Sequence, residues 1–202
     1  SYGTDKPDLR NPLKINDLTK IFARDDVKFE IFKKQIKSGS IVRCIHTKKT
    51  LDKPRSFFDN IDKWAKEQGA SGLAYFTIEK KDKLEAKGPV GKFFSEESIS
   101  EIMKITSAEV GDSVFMSCAK QKDVENILSQ TREKLGKELN LIDNDLFSFC
   151  WIIDYPMFEK DEITKKIKFS HNPFSMPQGD IKNLDFSKPL NLKAYQYDIV
   201  CN

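Results

Sequence analysis

No C-x-x-C pair, no glycine-rich phosphate loop and no long apolar run occur in this sequence. The four cysteines, Cys44, Cys118, Cys150 and Cys201, stand alone, and Cys44 with His46 has no second pair to complete a zinc site. Each cysteine falls inside an apolar, strand-like run, which fits buried free thiols in a reducing compartment better than disulfides. Neither G-x-x-x-x-G-K-[ST] nor G-x-G-x-x-G is present, so a P-loop or dinucleotide site is excluded at the level of motif. No stretch reaches the roughly 18 apolar residues of a membrane span, and no signal peptide is visible. The expectation is a soluble, cytoplasmic protein with no membrane partner.

A strong excess of one charge is missing too. Lys and Arg number 34 against 31 Asp and Glu, a net of +3, which gives no reason to expect DNA as a partner. The distribution is less even. Residues 14–140 hold 25 cations and 20 anions, a net of +5, which leaves 34 − 25 = 9 cations and 31 − 20 = 11 anions in the flanks. This weak basic bias supports at most a glancing contact with a phosphate backbone; a lysine-rich solvated surface explains it as well. The hydrophobic fraction of 39% suffices for a packed core.

Hydrophobic periodicity divides the chain. Residues 1–13, with Pro7 and Pro12, read as an ordered loop. Residues 27–32 (VKFEIF) alternate as a strand and are expected to pair as a hairpin with strand 41–47 through Ser38-Gly39-Ser40. A helix over 54–68 follows, with Asp52 as its N-cap, an apolar stripe from Phe57 to Trp64 and Ala65, and Gly69 just past its end. Strands are expected at 73–79, 83–87 and 113–119. Helices are expected at 96–108, with Glu96 and Glu97 in the first turn, and at 121–139. The fold class is therefore α+β: a two-layer sandwich of an antiparallel sheet with helices on one face.

From 147 the character changes. FSFCWII (147–153) is continuously apolar, as in a strand buried on both faces, and belongs to a larger sheet than the middle module offers. Residues 166–169 and 194–201 are further strand candidates, joined by a proline-bearing linker over 172–189. His171, in a Pro-bounded turn after this apolar run, is the residue best suited to meet an anionic substrate: imidazole donates to a carboxylate and titrates near neutrality. The alternative is a water-exposed turn histidine. His46, beside Cys44, reads as a partly buried sheet residue, and Phe57, Phe58, Trp64, Phe93 and Phe94 as core rather than as base-stacking aromatics. Asp154, Tyr155 and Glu159 either orient active-site groups from behind or cap the turn before Pro156. Asp5, Lys6, Asp8 and Arg10 either border a substrate pocket or form structural ion pairs.

Four segments carry a resemblance, in order and at plausible spacing. YGTDKPDLRNP (2–12) closely resembles the segment after motif 2 of bacterial-type aspartyl-tRNA synthetases, which are class II enzymes. FCWIIDYPMFE (149–159) resembles a strand of the same family, HNPFSMP (171–177) its histidine loop, and AYQYDIVCN (194–202) the strand leading to its next catalytic segment. The region between, 14–140, looks like the GAD insertion domain, flanked by catalytic-domain segments 1–13 and 141–202, the latter contributing strands of a class II antiparallel sheet. The resemblance implies a two-step reaction in the parent enzyme, a homodimer. Aspartate and ATP form aspartyl-adenylate with Mg²⁺, and the aspartyl group then passes to tRNA(Asp). It implies that His171 contacts aspartate. The family often carries a second histidine where Asn172 stands. Absent from this sequence are the anticodon-binding barrel, motif 1, the motif 2 and motif 3 arginines, and the Glu and Arg expected after Asn202. The chain, which opens at Ser1 and stops at Asn202, is thus expected to be a piece of a longer enzyme, inactive alone, with no catalytic residue, metal or bound cofactor of its own. The rival readings are a non-catalytic GAD-type module that binds tRNA or a partner, as in a tRNA-dependent amidotransferase subunit, and a structural spacer.

Overall fold

The computed structural model describes residues 2–161 and 163–201. The chain forms two compact units. The first comprises the segment up to Pro7 and Asn11–Asp143; the second comprises Asp8–Arg10 and the segment from Asn144 onward.

The first unit is built on five strands: β1 (Ile15–Asp17), β2 (Ile41–Thr47), β3 (Ala74–Lys80), β4 (Leu84–Lys87) and β5 (Ser113–Ala119). They lie in the order β1-β2-β5-β3-β4, every neighbour antiparallel. Five helices accompany them: α1 (Thr19–Phe22), α2 (Glu30–Lys37), α3 (Arg55–Glu67), α4 (Glu96–Thr106) and α5 (Gln121–Glu138). The expected α+β class and antiparallel sheet are present.

The layering is fuller than the sequence suggested, because the helices cover both faces. The central strand β5 has six consecutive buried residues, Ser113–Cys118. Successive side chains on a strand point to opposite faces, so Val114, Met116 and Cys118 pack with Phe22, Phe32, Ile99 and Ile102. Phe115 packs on the other side with Phe58, Ile61, Val124 and Leu128. On that side the rings of Phe58 and Tyr75 stack with centroids 4.4 Å apart.

Two local expectations fail. Residues 27–32 are not a strand. Glu30–Lys37 is helical, with Glu30 in its first turn and Lys34 and Lys37 near its end, where each charge complements the helix dipole. Phe29, Phe32 and Ile36 all face the first cluster, a helical spacing that the six-residue alternation concealed; Ile31, apolar in the strand pattern, is left 62% exposed. The expected hairpin is accordingly absent, and β2 pairs with β1 and β5. Asp52 does not cap α3: Pro54 occupies the N-cap position with no side-chain hydrogen bond, two residues beyond the carboxylate. Gly69 follows the C-cap Gln68 with φ +94°, as expected of a left-handed terminator.

The second unit contains two small antiparallel pairs. β6 (Phe149–Ile152) pairs with β9 (Asp198–Cys201), and β7 (Phe158–Lys160) with β8 (Ile167–Phe169). The strand over 147–153 is not buried on both faces here: Phe149, Trp151 and Ile153 are each more than 60% exposed, because a two-stranded ribbon has no layer to cover them. The cysteines divide in the same way. Cys44 and Cys118 are buried, and burial pushes both thiols up, Cys118 to about 11. Cys150 is half-buried and Cys201 exposed, contrary to expectation; all four are free thiols. No described helix is long and apolar enough to cross a membrane.

Candidate functional site

In the second unit three extended stretches meet. Ala194 N–H donates to Tyr155 O (2.8 Å), Met157 N–H to Leu192 O (2.8 Å), Gln178 N–H to Lys193 O (2.8 Å) and Tyr195 N–H to Met176 O (2.7 Å). Pro156 and Pro177 pair with Lys193 and Ala194 as isolated bridges. Pro lacks an N–H and suits such short, irregular pairing.

This frame holds Tyr155 at 4% exposure. Its hydroxyl donates to Asp198 Oδ2 at 2.8 Å. Its ring meets the His171 imidazole edge to face, with centroids 4.7 Å apart. His171 itself is exposed, with its ring set against an aromatic wall. Asp154, at φ +62°, accepts from Gln178 Nε2 (3.0 Å) and Lys193 Nζ (3.1 Å). The Gln178 and Lys193 bonds hold its carboxyl below the usual carboxylate range. Asn172 shapes the turn: its Oδ1 accepts from Phe174 N–H (3.0 Å) and its carbonyl from Ser175 N–H (3.2 Å). Gly179, at φ +98°, closes the segment.

Of the residues singled out from sequence, His171, Tyr155 and Asp154 thus come together, joined by Asp198, Gln178 and Lys193. The last three lie 24 or more residues from Asp154 in sequence; Gln178 and Lys193 carried no local signal, and Asp198, within AYQYDIVCN, was given no role there. Glu159 is engaged elsewhere, in a cross-strand ion pair with Lys168 (3.3 Å). Asp5 and Lys6 are exposed on the N-terminal arm of the first unit. Asp8 and Arg10 form a bidentate pair: Arg10 Nε donates to Asp8 Oδ1 (2.9 Å) and Nη2 to Oδ2 (2.8 Å).

His46 is a half-buried residue of β2, as expected, with its pKa lowered by burial and Nδ1 unpartnered. Phe57, Phe58, Phe93 and Phe94 pack on the two cores, as does Trp64. Among the described residues no group of three or more His, Cys, Asp or Glu is placed to hold a metal ion. Sequence reading missed Arg132. It lies on the buried face of α5 with Leu128 and Leu135, and a cation inside an apolar stripe was the signal.

The GAD domain family matches residues 32–128. Over its whole length the chain is similar to proteins named aspartate–tRNA(Asp/Asn) ligase. It is 72% identical over 201 residues to that of Pelagibacter ubique (100% of this chain, 34% of that protein). It is 52% identical over 202 residues to that of a Wolbachia of Drosophila simulans (100% and 33%), and 46% identical over 202 residues to that of Beijerinckia indica (100% and 34%). The chain spans about a third of the length of the curated relatives it matches. Its similarity to these ligases runs through both flanks as well as through the middle module, which contains the GAD domain match.

Proposed function

We propose that this chain is part of an enzyme that activates L-aspartate with ATP and transfers the aspartyl group to tRNA, to tRNA(Asp) and, as the relatives' names indicate, tRNA(Asn). The observation that carries the reading is the match of the entire chain, flanks included, to such ligases at up to 72% identity among those compared. A free-standing GAD-type binding module has no need of the Tyr155–His171–Asp198 cluster, which argues against the rival reading.

Within that reaction His171 binds the aspartate substrate. Its ring is steadied by Tyr155, and an imidazole N–H can donate to a carboxylate. Asp154, kept ionised by Gln178 and Lys193, organises the loop behind it. Asp5 and Lys6, on an arm rich in paired charge, border the aspartate or the tRNA end. Glu159 contributes through the β7–β8 hairpin rather than through the cluster. ATP enters as co-substrate and no residue of this chain is assigned to it. Described residues offer no Mg²⁺ ligand set. The working enzyme is a homodimer in the cytoplasm.

The test uses the full-length ligase. L-Aspartate-dependent ATP–pyrophosphate exchange and charging of both tRNAs are expected. His171→Ala should raise the KM for aspartate by about tenfold, the loss expected for one hydrogen bond to a charged group, with kcat less affected. No aspartate-dependent exchange by the wild-type protein would overturn the reading.

A further inference from the structure

We propose that Arg132 is a positioning residue for the arm Tyr2–Leu13, and through it for binding of aspartate or tRNA; the second half rests on the function proposed above.

Arg132 is 1% exposed, the largest fully buried side chain among the described residues. From α5 its Nε donates to Leu13 O (2.6 Å) and its Nη2 to Asn11 O (2.5 Å). The guanidinium carbon lies 4.9 Å from the centroid of the Tyr2 ring. The arm answers in kind: Asn11 Nδ2 donates to Arg132 O (2.8 Å), while Asn11 Oδ1 accepts from Leu13 N–H (3.1 Å).

The helix surface is cut to receive this arm. A Cβ on Gly136 would lie 2.3 Å from Asn11 Nδ2. On the arm, a Cβ on Gly3, at φ +71°, would lie 2.5 Å from Glu125 O. Both shoulders of the arm therefore press on α5, each through a glycine. Between the two anchors stand Asp5 and Lys6, both exposed.

Burying a guanidinium is costly, and apolar residues of similar volume often serve stability as well or better. What an apolar residue cannot do is satisfy two backbone carbonyls at once. Asn11 and Leu13 lie in a stretch outside any helix or strand, so their carbonyls have no ladder to join, and buried carbonyls need donors. The planar fork of arginine supplies two fixed N–H vectors where lysine supplies one mobile ammonium. The fork thus dictates the path of the chain on the C-terminal side of Asp8–Arg10, and the Tyr2 contact dictates it on the other. Helix α5 thereby sets the geometry of a segment that the proposed function places at the substrate site.

The experiment uses the full-length ligase with Arg132→Met, which keeps the volume, Arg132→Lys, which keeps the charge, and Asn11→Ala, which leaves Arg132 in place should the first two fail to fold. Three quantities are read: the melting temperature, amide exchange of the arm peptide against peptides from β2 and β5, and KM and kcat for aspartate and tRNA. Expected are arm exchange faster by about tenfold, as for the loss of one strong hydrogen bond, with β2 and β5 unchanged, and a rise of about fivefold or more in the KM for aspartate or tRNA at nearly constant kcat. Lysine should not rescue. Unchanged arm exchange in the folded variants, full rescue by lysine, or faster exchange with both KM values unaltered would each overturn the proposal. A wild-type enzyme inactive with aspartate would sink only the proposed function, since arm exchange would still decide whether Arg132 holds the arm.

Discussion

The phenol of Tyr155 donates to the Asp198 carboxylate at 2.8 Å while its ring backs the imidazole of His171. One buried side chain thus links the segment after β6, the histidine turn and the start of β9. Removing the hydroxyl alone separates these roles. Tyr155→Phe keeps the ring against His171 and deprives Asp198 of its donor. A hydrogen bond to a charged group contributes about 1.5–3 kcal/mol, reduced here because Asp198 is exposed, so a loss of about 1 kcal/mol in chemical denaturation is expected. Tyr155→Ala should cost more and also raise the KM for aspartate in the full-length enzyme, because the histidine loses its wall. Equal effects of the two substitutions on that KM would contradict the wall.

Gly136 offers a test of sign. Gly→Ala inside a helix ordinarily stabilises by about 0.5–1 kcal/mol. On α5 the added methyl would meet Asn11 Nδ2 at 2.3 Å, and overpacking of that kind costs about 1–3 kcal/mol. Gly136→Ala is expected to lower the melting temperature; a rise would show that the arm yields without loss.

How much of this could be read beforehand depended on the length of the pattern. The helix over 121–139 and strands 41–47 and 113–119 announced themselves over several periods, and each formed within a residue or two of expectation. Residues 27–32 misled because six residues fit two periods: Val27, Phe29 and Ile31 alternate, while Phe29, Phe32 and Ile36 form a helical stripe, and contact with Phe22 and Phe93 decided between them. At the site, His171 and Asp154 stood in recognisable strings. Gln178 and Lys193 did not, and Asp198, though it falls within AYQYDIVCN, was given no role there, because a hydrogen bond formed across 24 to 43 residues leaves no local trace of its partner. Helices on both faces were legible in principle from β5, whose SVFMSCA offers no fully polar side.

Acid should act on Asp26. Arg24 donates to both of its oxygens (2.8 and 3.1 Å) and Ser95 Oγ to one (2.6 Å). The hydrogen bonds from Arg24 and then Ser95 depress its pKa to about 2. A carboxyl depressed in the folded state stabilises fully above its unfolded pKa, about 3.9, and that contribution disappears as pH falls toward 2. Ser95 is also the N-cap of α4, accepting from Ser98 N–H. Asp26→Asn should therefore lower the melting temperature at pH 6 and shrink the further drop between pH 4 and pH 2 relative to wild type. A variant whose acid sensitivity over that interval equals the wild type's would place the titrating group elsewhere.

Asn172 allows the turn and the substrate to be told apart. Its Oδ1 accepts the Phe174 N–H, a local bond that Asp can also make and Ala cannot. Asn172→Ala should speed exchange of the Phe174 amide and, with the loop less often in its binding shape, raise the KM for aspartate by roughly two- to fivefold, as for about 0.5–1 kcal/mol. Asn172→Asp should leave the amide protected, yet it adds an anion next to His171. If that loop faces the carboxylates of aspartate, the like charge repels the substrate. The KM should then rise further than in the alanine variant and recover partly at high salt, which screens exposed charges. An aspartate variant with protected amides and a wild-type KM would mean that the turn forms as described but faces away from the substrate.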